Sequence, residues 1–133
     1  MLTRTLAPHC ETLLRLDVSE NALQIAQRRS AITGNLRYQR GEVPREWPEG
    51  TFDLIVLSEV LYFLSASEIA AVSVRAHRAL SGDGLCLLVN WTGENNLEVN
   101  GHQAVRLFTQ AAPRGGGGIA RNGLTYRIDR LKS

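Results

Sequence analysis

Apolar and polar positions along the chain predict alternating strands and helices. A short aliphatic run, Leu13 to Val18, is followed by Ser19, a favourable N-cap residue, and then by a helical stretch from Glu20 to Ile32. The segment Leu36 to Arg40 alternates apolar and polar positions, as a half-exposed edge strand does. Residues 13–40 are therefore predicted to form a strand, a helix and a second strand, followed by a proline-containing loop from Gly41 to Gly50.

The middle of the chain repeats this alternation with longer apolar runs. Phe52 to Leu57 is nearly continuous in apolar residues, which is typical of a parallel strand covered on both faces and predicts a position in the centre of the sheet. Ser65 and Glu68 match a capping box, and apolar residues at helical spacing follow until the glycines that begin at Gly82. A second buried strand is predicted from Leu85 to Asn90.

The residue pattern of the C-terminal third of the chain predicts one more helix and a closing strand. Gly101 to Ala112 carries apolar residues at helical spacing and is stopped by Pro113. The glycine run Gly115 to Gly118 is followed by no Lys-Ser or Lys-Thr pair, so a flexible connector is a better interpretation than a phosphate loop. An Asn-Gly turn signal before Leu124 to Asp129 predicts a hairpin or a terminal strand.

Composition and charge restrict the class of protein. The 133 residues, 44% of them hydrophobic, predict one globular domain over residues 1–133. Fifteen basic and thirteen acidic residues are spread along the chain, so nucleic-acid binding is not favoured. No membrane span or signal peptide is recognisable, and a cytoplasmic protein is expected. Cys10 and Cys86 are expected to be buried reduced thiols, and no metal site is expected.

Polar side chains follow the predicted strands where each strand ends. Alternating strands and helices predict an α/β fold with a mostly parallel sheet, and ligands bind such sheets beyond the carboxyl ends of the strands. The residues at these ends are Asp17, Glu42, Ser58, Glu59 and Trp91. An acidic residue at such a position in a nucleotide-binding sheet accepts hydrogen bonds from ribose hydroxyls. The ligand site is therefore expected along this edge.

Three stretches, in order, carry a resemblance to a known family: LLRLDVSENALQIAQRR, GEVPREWPEGTFDLIVLSEVLYFL and LSGDGLCLLVNWTGENN. Together they resemble the class I S-adenosylmethionine-dependent methyltransferases, and most closely the nodulation protein S family of N-methyltransferases, from about Leu6 to Leu131. The resemblance implies a Rossmann-like three-layer sandwich. The ribose-binding carboxylate of such folds follows a first strand and a glycine-rich turn. Because Asp17 comes too early for both, the sandwich is expected to be N-terminally truncated and to begin inside a helix, Leu2 to Cys10.

The resemblance also implies roles for the residues that would bind the cofactor, S-adenosylmethionine. Asp17 is expected to hold the ribose diol, with Val18 against the adenine ring. Glu42 is expected to accept a hydrogen bond from the adenine amino group, near the backbone of Val43. Ser58 is expected to face the methionine end of the cofactor.

The acceptor side is expected to involve residues after the third and fourth strands. Methyl transfer from a sulfonium needs alignment, desolvation and an unprotonated amine rather than a protein nucleophile. Glu59 is expected to bind the acceptor amine or the cofactor's ammonium group, and His102 to take a proton. Tyr62 and Trp91 offer aromatic faces to a cation or a sugar ring. The expected acceptor is a small-molecule amine, such as an amino sugar or an oligosaccharide.

Other interpretations stay open from the residues alone. Asp17 and Ser19 also suit a helix cap, Glu59 a solvated loop carboxylate, and Tyr62 core packing. A methyltransferase fold without its first strand would expose strand edges, which favours homo-oligomers or a non-catalytic interaction module. A nicotinamide-dependent oxidoreductase has less support, because Lys132, the only lysine, lies too near the chain end to be an obvious catalytic partner.

Overall fold

A computed structural model describes residues 5–30, 34–93, 96–112, 117–123 and 126–132. The chain divides into two compact units, Met1–Pro48 and Glu49–Ser133. The expectation of one domain over the whole chain stays a prediction. Within the described ranges, every helix is too short or too polar to cross a membrane.

The first unit is a strand, a helix and a second strand. Their bounds are β1 (Leu13–Asp17), α1 (Glu20–Ser30) and β2 (Leu36–Arg40). The two strands pair in parallel, with Asp17 opposite Arg40 at their carboxyl ends. On the inner face of α1, Leu23 and Ala26 are buried. The predicted order of strand, helix and strand is confirmed, and the predicted end of the helix at residues 31–32 lies outside the described residues.

The second unit contains one mixed sheet and two helices. Its elements are β3 (Phe52–Ser58), a 3₁₀ turn (Leu61–Phe63), α2 (Ala66–Ala79), β4 (Leu80–Trp91), α3 (Gly101–Ala111), β5 (Gly117–Asn122) and β6 (Tyr126–Lys132). The strand order is β3-β4-β6-β5, in which β3 and β4 are parallel and β6 runs antiparallel to both of its neighbours. The predicted α/β fold with mostly parallel strands and the terminal strand pair are confirmed.

The core of the second unit lies between β4 and the two helices. Every second residue of β4 from Gly84 to Asn90 is buried. The largest fully buried apolar side chains that the helices contribute are those of Ile69, Val72 and Phe108. Removing each such side chain from water contributes roughly 1.5–3 kcal/mol. The buried Ser73 hydroxyl donates to the Phe108 carbonyl oxygen at 2.7 Å and so ties α2 to the last turn of α3.

Capping boxes fix the starts of both helices in this unit. At α2, Ser65 Oγ accepts from the Glu68 backbone N–H, and the Glu68 side chain accepts from the Ser65 N–H, as predicted. At α3, Asn100 and Gln103 form the same reciprocal pair, which the sequence analysis did not anticipate. The first residues of each helix are therefore held by side chains on the same stretch of chain.

The structure places β3 at the edge of the four-stranded sheet, so the prediction of a central position in the sheet is wrong for the strands described. Among them, β4 is the only partner of β3, and Leu54 is 37% exposed. An apolar run shows that the faces of a strand suit burial. It carries no information about how many strands flank it.

Two smaller expectations are also corrected. Strand β4 begins at Leu80, earlier than predicted, because the chain bulges between the pairs Phe52–Leu80 and Leu54–Leu85. Cys10 is extended and only half buried, after a 3₁₀ turn at Ala7–His9, so the expectation of a buried thiol holds for Cys86 alone. Burial raises the pKa of the Cys86 thiol to about 12.

Parts of two other predictions lie outside the described residues. Residues 2–4 of the predicted first helix, Leu2 to Cys10, are outside the described residues. So are Gly115 and Gly116 of the glycine run, whereas Gly117 and Gly118 open β5. The connector interpretation of this run is therefore wrong for its second half, because those residues pair with β6.

Replacing Gly101 with alanine tests how closely α3 is held against the end of β4. A Cβ at Gly101 would overlap the Trp91 carbonyl oxygen, so the helix must shift, even though alanine favours helices over glycine by about 1 kcal/mol. We expect urea denaturation to show a loss of about 1–3 kcal/mol in the free energy of unfolding. Gly82→Ala is the control, because a Cβ there meets no atom within 4 Å. Equal losses in the two variants would contradict this close contact.

Candidate functional site

The carboxyl ends of β1 and β2 place two carboxylate residues at one edge of the first unit. The Gly41 N–H donates to the Asp17 carbonyl oxygen at 3.0 Å, so the chain after β2 runs beside the end of β1. A Cβ at Gly41 would lie 2.8 Å from Leu16 Cδ1 and 3.1 Å from the Glu46 carbonyl oxygen, so a larger residue there would require Leu16 to move. Glu42 follows at once. Asp17 and Glu42 therefore both lie at the predicted edge.

Local contacts hold the Asp17 carboxylate in place. Its Oδ1 accepts from the Ser19 backbone N–H at 3.0 Å, and its Oδ2 lies 3.6 Å from the Arg15 guanidinium. Ser19 in turn caps α1, because its hydroxyl accepts from the Ala22 N–H at 3.1 Å. The capping interpretation of Ser19 is thus correct. Each carboxylate oxygen can accept from more than one donor, so these contacts orient Asp17 and still allow it to bind a diol.

The neighbours of these two carboxylates differ in character. Val18 is 53% exposed and presents an aliphatic surface beside Asp17. The Glu42 carboxylate pairs with Arg45 at 2.8 Å on the exposed side, and Val43 is half buried. Hydrogen-bond acceptors beside an exposed aliphatic surface suit a nucleoside, whose hydroxyl and amino groups donate and whose base is largely apolar on its faces.

In the second unit, Glu59 follows β3 in a left-handed backbone conformation with φ of 57°. Its N–H donates to the Val89 carbonyl oxygen at 2.9 Å and extends the β3–β4 ladder past Ser58. A residue with a Cβ is uncommon in this conformation, which costs about 1–3 kcal/mol and occurs preferentially at functional sites. The turn brings the Glu59 side chain to Tyr62, whose hydroxyl donates to Oε2.

Tyr62 is a buried donor held beside this carboxylate. Burial, and then the hydrogen bond and negative charge of Glu59, raise the pKa of Tyr62 from 10.0 to about 12. The phenol therefore stays protonated at neutral pH. The Tyr62 ring is 9% exposed, whereas the neighbouring Phe63 ring, 4.8 Å away between centroids, is 65% exposed. The Tyr62 ring therefore belongs mainly to the core, and its hydroxyl binds Glu59.

The end of β4 presents two residues on opposite faces. Trp91 is 43% exposed, and Gly93 lies over its indole ring, where a Cβ would be 2.6 Å from Cζ2. Asn90 is fully buried, and neither its amide nitrogen nor its amide oxygen has a hydrogen-bond partner among the residues the structure describes. Buried amides are nearly always paired, so Asn90 is an exception that calls for a physical explanation.

His102 belongs to a network that reaches β6. Its Nδ1 lies 3.0 Å from Arg127 NH1. The Arg127 guanidinium also binds Asp129 through two hydrogen bonds, Nε to Oδ2 at 2.8 Å and NH2 to Oδ1 at 2.5 Å. The Arg127 and Asp129 side chains are only 14% and 4% exposed, so this pair is largely removed from water.

The structure places the predicted site residues in two groups, one in each unit. The first unit carries Asp17, Val18, Glu42 and Val43, and the second carries Ser58, Glu59, Tyr62, Trp91 and His102 at the carboxyl end of β3 and β4. Their functional roles stay predictions. Arg127 and Asp129 were not among the site residues predicted from the sequence. Opposite charges two positions apart on a strand point to the same face, and this spacing could have indicated the pair.

Comparison with known proteins identifies the relatives of this chain. Residues 1–88 match the family model described as a methyltransferase domain. Nodulation protein S of Sinorhizobium fredii is 32% identical over 79 residues, which cover 59% of this chain and 36% of that protein. Nodulation protein S of Rhizobium tropici is 39% identical over 62 residues, 47% of this chain and 26% of that protein. The matched part of each relative is therefore well under half of its length.

Solved structures show the same fold. A crystal structure of a candidate methyltransferase from Pseudomonas syringae has a TM-score of 0.81 and 27% identity, covering 99% of this chain and 80% of that one. The N-methyltransferase NodS from Bradyrhizobium japonicum, solved with S-adenosylhomocysteine, has a TM-score of 0.80 and 19% identity, covering 98% of this chain and 70% of that one. At that lower identity the likeness is one of fold.

Replacing Glu59 with glutamine is expected to lower the pKa of Tyr62 from about 12 towards 10.0, because the charge of Glu59 is removed while burial remains. Alkaline titration of tyrosine absorbance measures this shift. Since the folded phenol ionises at higher pH than the unfolded one, the free energy of unfolding should also fall as pH rises between these two values.

Two controls make this titration specific. Tyr62→Phe assigns the high-pH component among the three tyrosines, and Glu98→Gln removes an exposed carboxylate elsewhere in the same unit. A component near pH 12 that survives in Tyr62→Phe would show that the phenol held by Glu59 is not its source.

Proposed function

This chain belongs to the methyltransferase domain family, and from that membership we propose that it transfers a methyl group from S-adenosylmethionine to the nitrogen of a small-molecule amine. The observation that carries the proposal is the Glu59 carboxylate, turned out of the end of β3 by a left-handed backbone and held by Tyr62. The similarity to the N-methyltransferase NodS supports nitrogen as the methylated atom. We propose an amino sugar or an oligosaccharide as the acceptor.

The residues of the first unit fit the nucleoside half of this cofactor. Asp17 accepts hydrogen bonds from the two ribose hydroxyls, for which its carboxylate is already oriented by Ser19. Val18 packs its exposed side chain against the adenine ring. Glu42 accepts a hydrogen bond from the adenine amino group, and the backbone of Val43 lies beside that group. The role of Ser58 at the methionine end of the cofactor stays a prediction.

S-adenosylmethionine, when bound, supplies a methyl group on a positively charged sulfur. An amine lone pair attacks the methyl carbon in line and displaces the sulfur. Glu59 binds an N–H of the acceptor and receives the proton that the nitrogen loses once it is methylated. Tyr62 stays protonated and donates to the same carboxylate, so it fixes the orientation of Glu59. Trp91 offers an exposed aromatic face to the acceptor.

A second candidate function is binding of another copy of the chain along the edge of β3. One observation favours it: β4 is the only strand that pairs with β3 among those described. Unpaired strand edges readily add a further strand. Dimerisation of the chain together with a failure to bind S-adenosylhomocysteine would favour this non-catalytic role over methyl transfer.

The cytoplasmic location stays a prediction.

Titration calorimetry with S-adenosylhomocysteine tests the cofactor half of the proposal. We expect Asp17→Asn to weaken binding about tenfold to a hundredfold, because a charge-assisted hydrogen bond contributes roughly 1.5–3 kcal/mol. Asp83→Asn is the matched control, since Asp83 is an exposed carboxylate in the bulge at the other end of β4. Equal affinities of Asp17→Asn and Asp83→Asn would remove Asp17 from the site.

Methyl transfer to a small panel of amines tests the acceptor half. D-glucosamine, trans-2-aminocyclohexanol and cyclohexylamine are incubated with S-adenosylmethionine, and S-adenosylhomocysteine release is measured. We expect Glu59→Gln to lower kcat by about 10²–10⁴-fold, the usual contribution of a positioned base. Glu98→Gln should keep the rate of the unmodified protein. A rate in Glu59→Gln within threefold of that value would exclude Glu59 as the base, and no methylation of any of the three amines would contradict the proposed acceptor class.

A further inference from the structure

Arg45 presents hydrogen-bond donors beside the carboxylate of Glu42. Its NH2 lies 2.8 Å from Glu42 Oε2, three positions earlier in the chain. A guanidinium has only donors and an ionised carboxylate only acceptors, so the two side chains together offer both kinds of group at one place. The Arg45 side chain is 75% exposed and the Glu42 side chain 49% exposed, so a ligand can reach both.

One helical turn holds these two side chains together. The Glu46 N–H donates to the Glu42 carbonyl oxygen at 2.8 Å, and the Glu42 N–H donates to Glu46 Oε1 at 3.2 Å. Both hydrogen bonds join the first and last residues of the turn and fix its backbone. Side chains three positions apart lie on the same side of such a turn. The Glu42–Arg45 pair therefore follows from local backbone geometry as well as from opposite charge.

The pair lies next to the carboxylate residue that is proposed to bind ribose. The Gly41 N–H donates to the Asp17 carbonyl oxygen at 3.0 Å, and the helical turn begins at the following residue. The base of a nucleoside is joined directly to its ribose. A nucleoside held by Asp17 therefore has its base close to the turn that carries Glu42 and Arg45.

The edge of adenine matches a donor and an acceptor set side by side. Its amino group donates, and the two ring nitrogens next to the amino group, N1 and N7, accept. A carboxylate alone binds only the amino group, whereas a guanidinium beside it binds the neighbouring ring nitrogen at the same time. Hypoxanthine carries a carbonyl oxygen in place of the amino group, so the carboxylate would face another acceptor. A paired carboxylate and guanidinium therefore suit adenine in particular.

We propose that Arg45 is a specificity-determining residue for the cofactor and donates a hydrogen bond to the ring nitrogen next to the adenine amino group, N1 or N7. This inference rests on the proposed function, in which Glu42 binds the amino group, and it adds a second residue that recognises the base. Glu42 also holds the guanidinium in place, since a carboxylate accepts from more than one donor. The base is then recognised by its edge as well as by its apolar face against Val18.

Deaza analogues of S-adenosylhomocysteine test this contact, because each replaces one ring nitrogen with a C–H group. Titration calorimetry compares the parent compound with its 1-deaza, 7-deaza and 3-deaza analogues. We expect the 1-deaza or the 7-deaza analogue to bind about fivefold to twentyfold more weakly than the parent. In Arg45→Met this difference should fall to within about twofold, because the parent loses the contact and the analogue has none to lose.

A ligand control and a protein control make the comparison specific. N3 is not next to the amino group, so the affinity of the 3-deaza analogue relative to the parent should be the same with and without Arg45. Arg37→Met is the matched variant, because Arg37 is an exposed arginine near the amino end of β2 in the same unit. It should keep the preference of the unmodified protein. Exposed ion pairs contribute little to stability, so Arg45→Met is expected to stay folded.

A double-mutant cycle tests whether the two side chains act as a pair. Glu42→Ala and Arg45→Met are measured alone and combined, with S-adenosylhomocysteine as the ligand. We expect the combined loss of affinity to be at least about threefold smaller than the product of the separate losses, because Glu42→Ala also frees the guanidinium from its place. A combined loss equal to that product would overturn the paired recognition.

Failure of this inference is distinct from failure of the proposed function. No binding of S-adenosylhomocysteine to the unmodified protein contradicts the proposed cofactor site. Deaza differences that are the same in the unmodified protein and in Arg45→Met overturn the role of Arg45 and leave the cofactor site in place. Arg45→Met weakening the parent and all three analogues equally would likewise overturn recognition of a ring nitrogen.

Discussion

The register between β3 and β4 determines which chemical groups meet at the end of the second unit. Ser58 lies opposite Val89, and the hydrogen bond from Glu59 to the Val89 carbonyl oxygen carries this register one residue past the strand. Because side chains alternate between the two faces of a strand, a slip of one residue would exchange Asn90 and Trp91 between the buried and exposed faces. The turn that brings Glu59 to Tyr62 starts from the same bond. The candidate site is therefore fixed by backbone pairing before any side chain contributes.

The features that the sequence predicted well are those encoded over short distances. The capping box at Ser65 and Glu68 and the helical spacing after it involve residues three or four positions apart, and the structure has both. The places of Asp17, Glu42 and Glu59 along the chain were also predictable, because Asp17 ends β1 and the other two closely follow β2 and β3. In these cases the local residue pattern and the fold class were sufficient to predict where the residues lie.

The features that escaped prediction depend on which strands become neighbours. An apolar run could not show that β3 lies at a sheet edge. The contact of Arg127 with His102 joins residues 25 positions apart, and it exists because β6 returns antiparallel to β4 and places Arg127 opposite Asn90. Only the spacing of Arg127 and Asp129 was visible in the sequence.

The buried amide of Asn90, which has no hydrogen-bond partner among the described residues, opposes folding. An unpaired polar group in the core costs about 1–3 kcal/mol, and a leucine of similar size at this position would remove that cost. A library screened only for heat resistance would accordingly be enriched in apolar replacements of Asn90. Such proteins would be more resistant to heat, so the unpaired amide is a feature that selection for stability alone would remove.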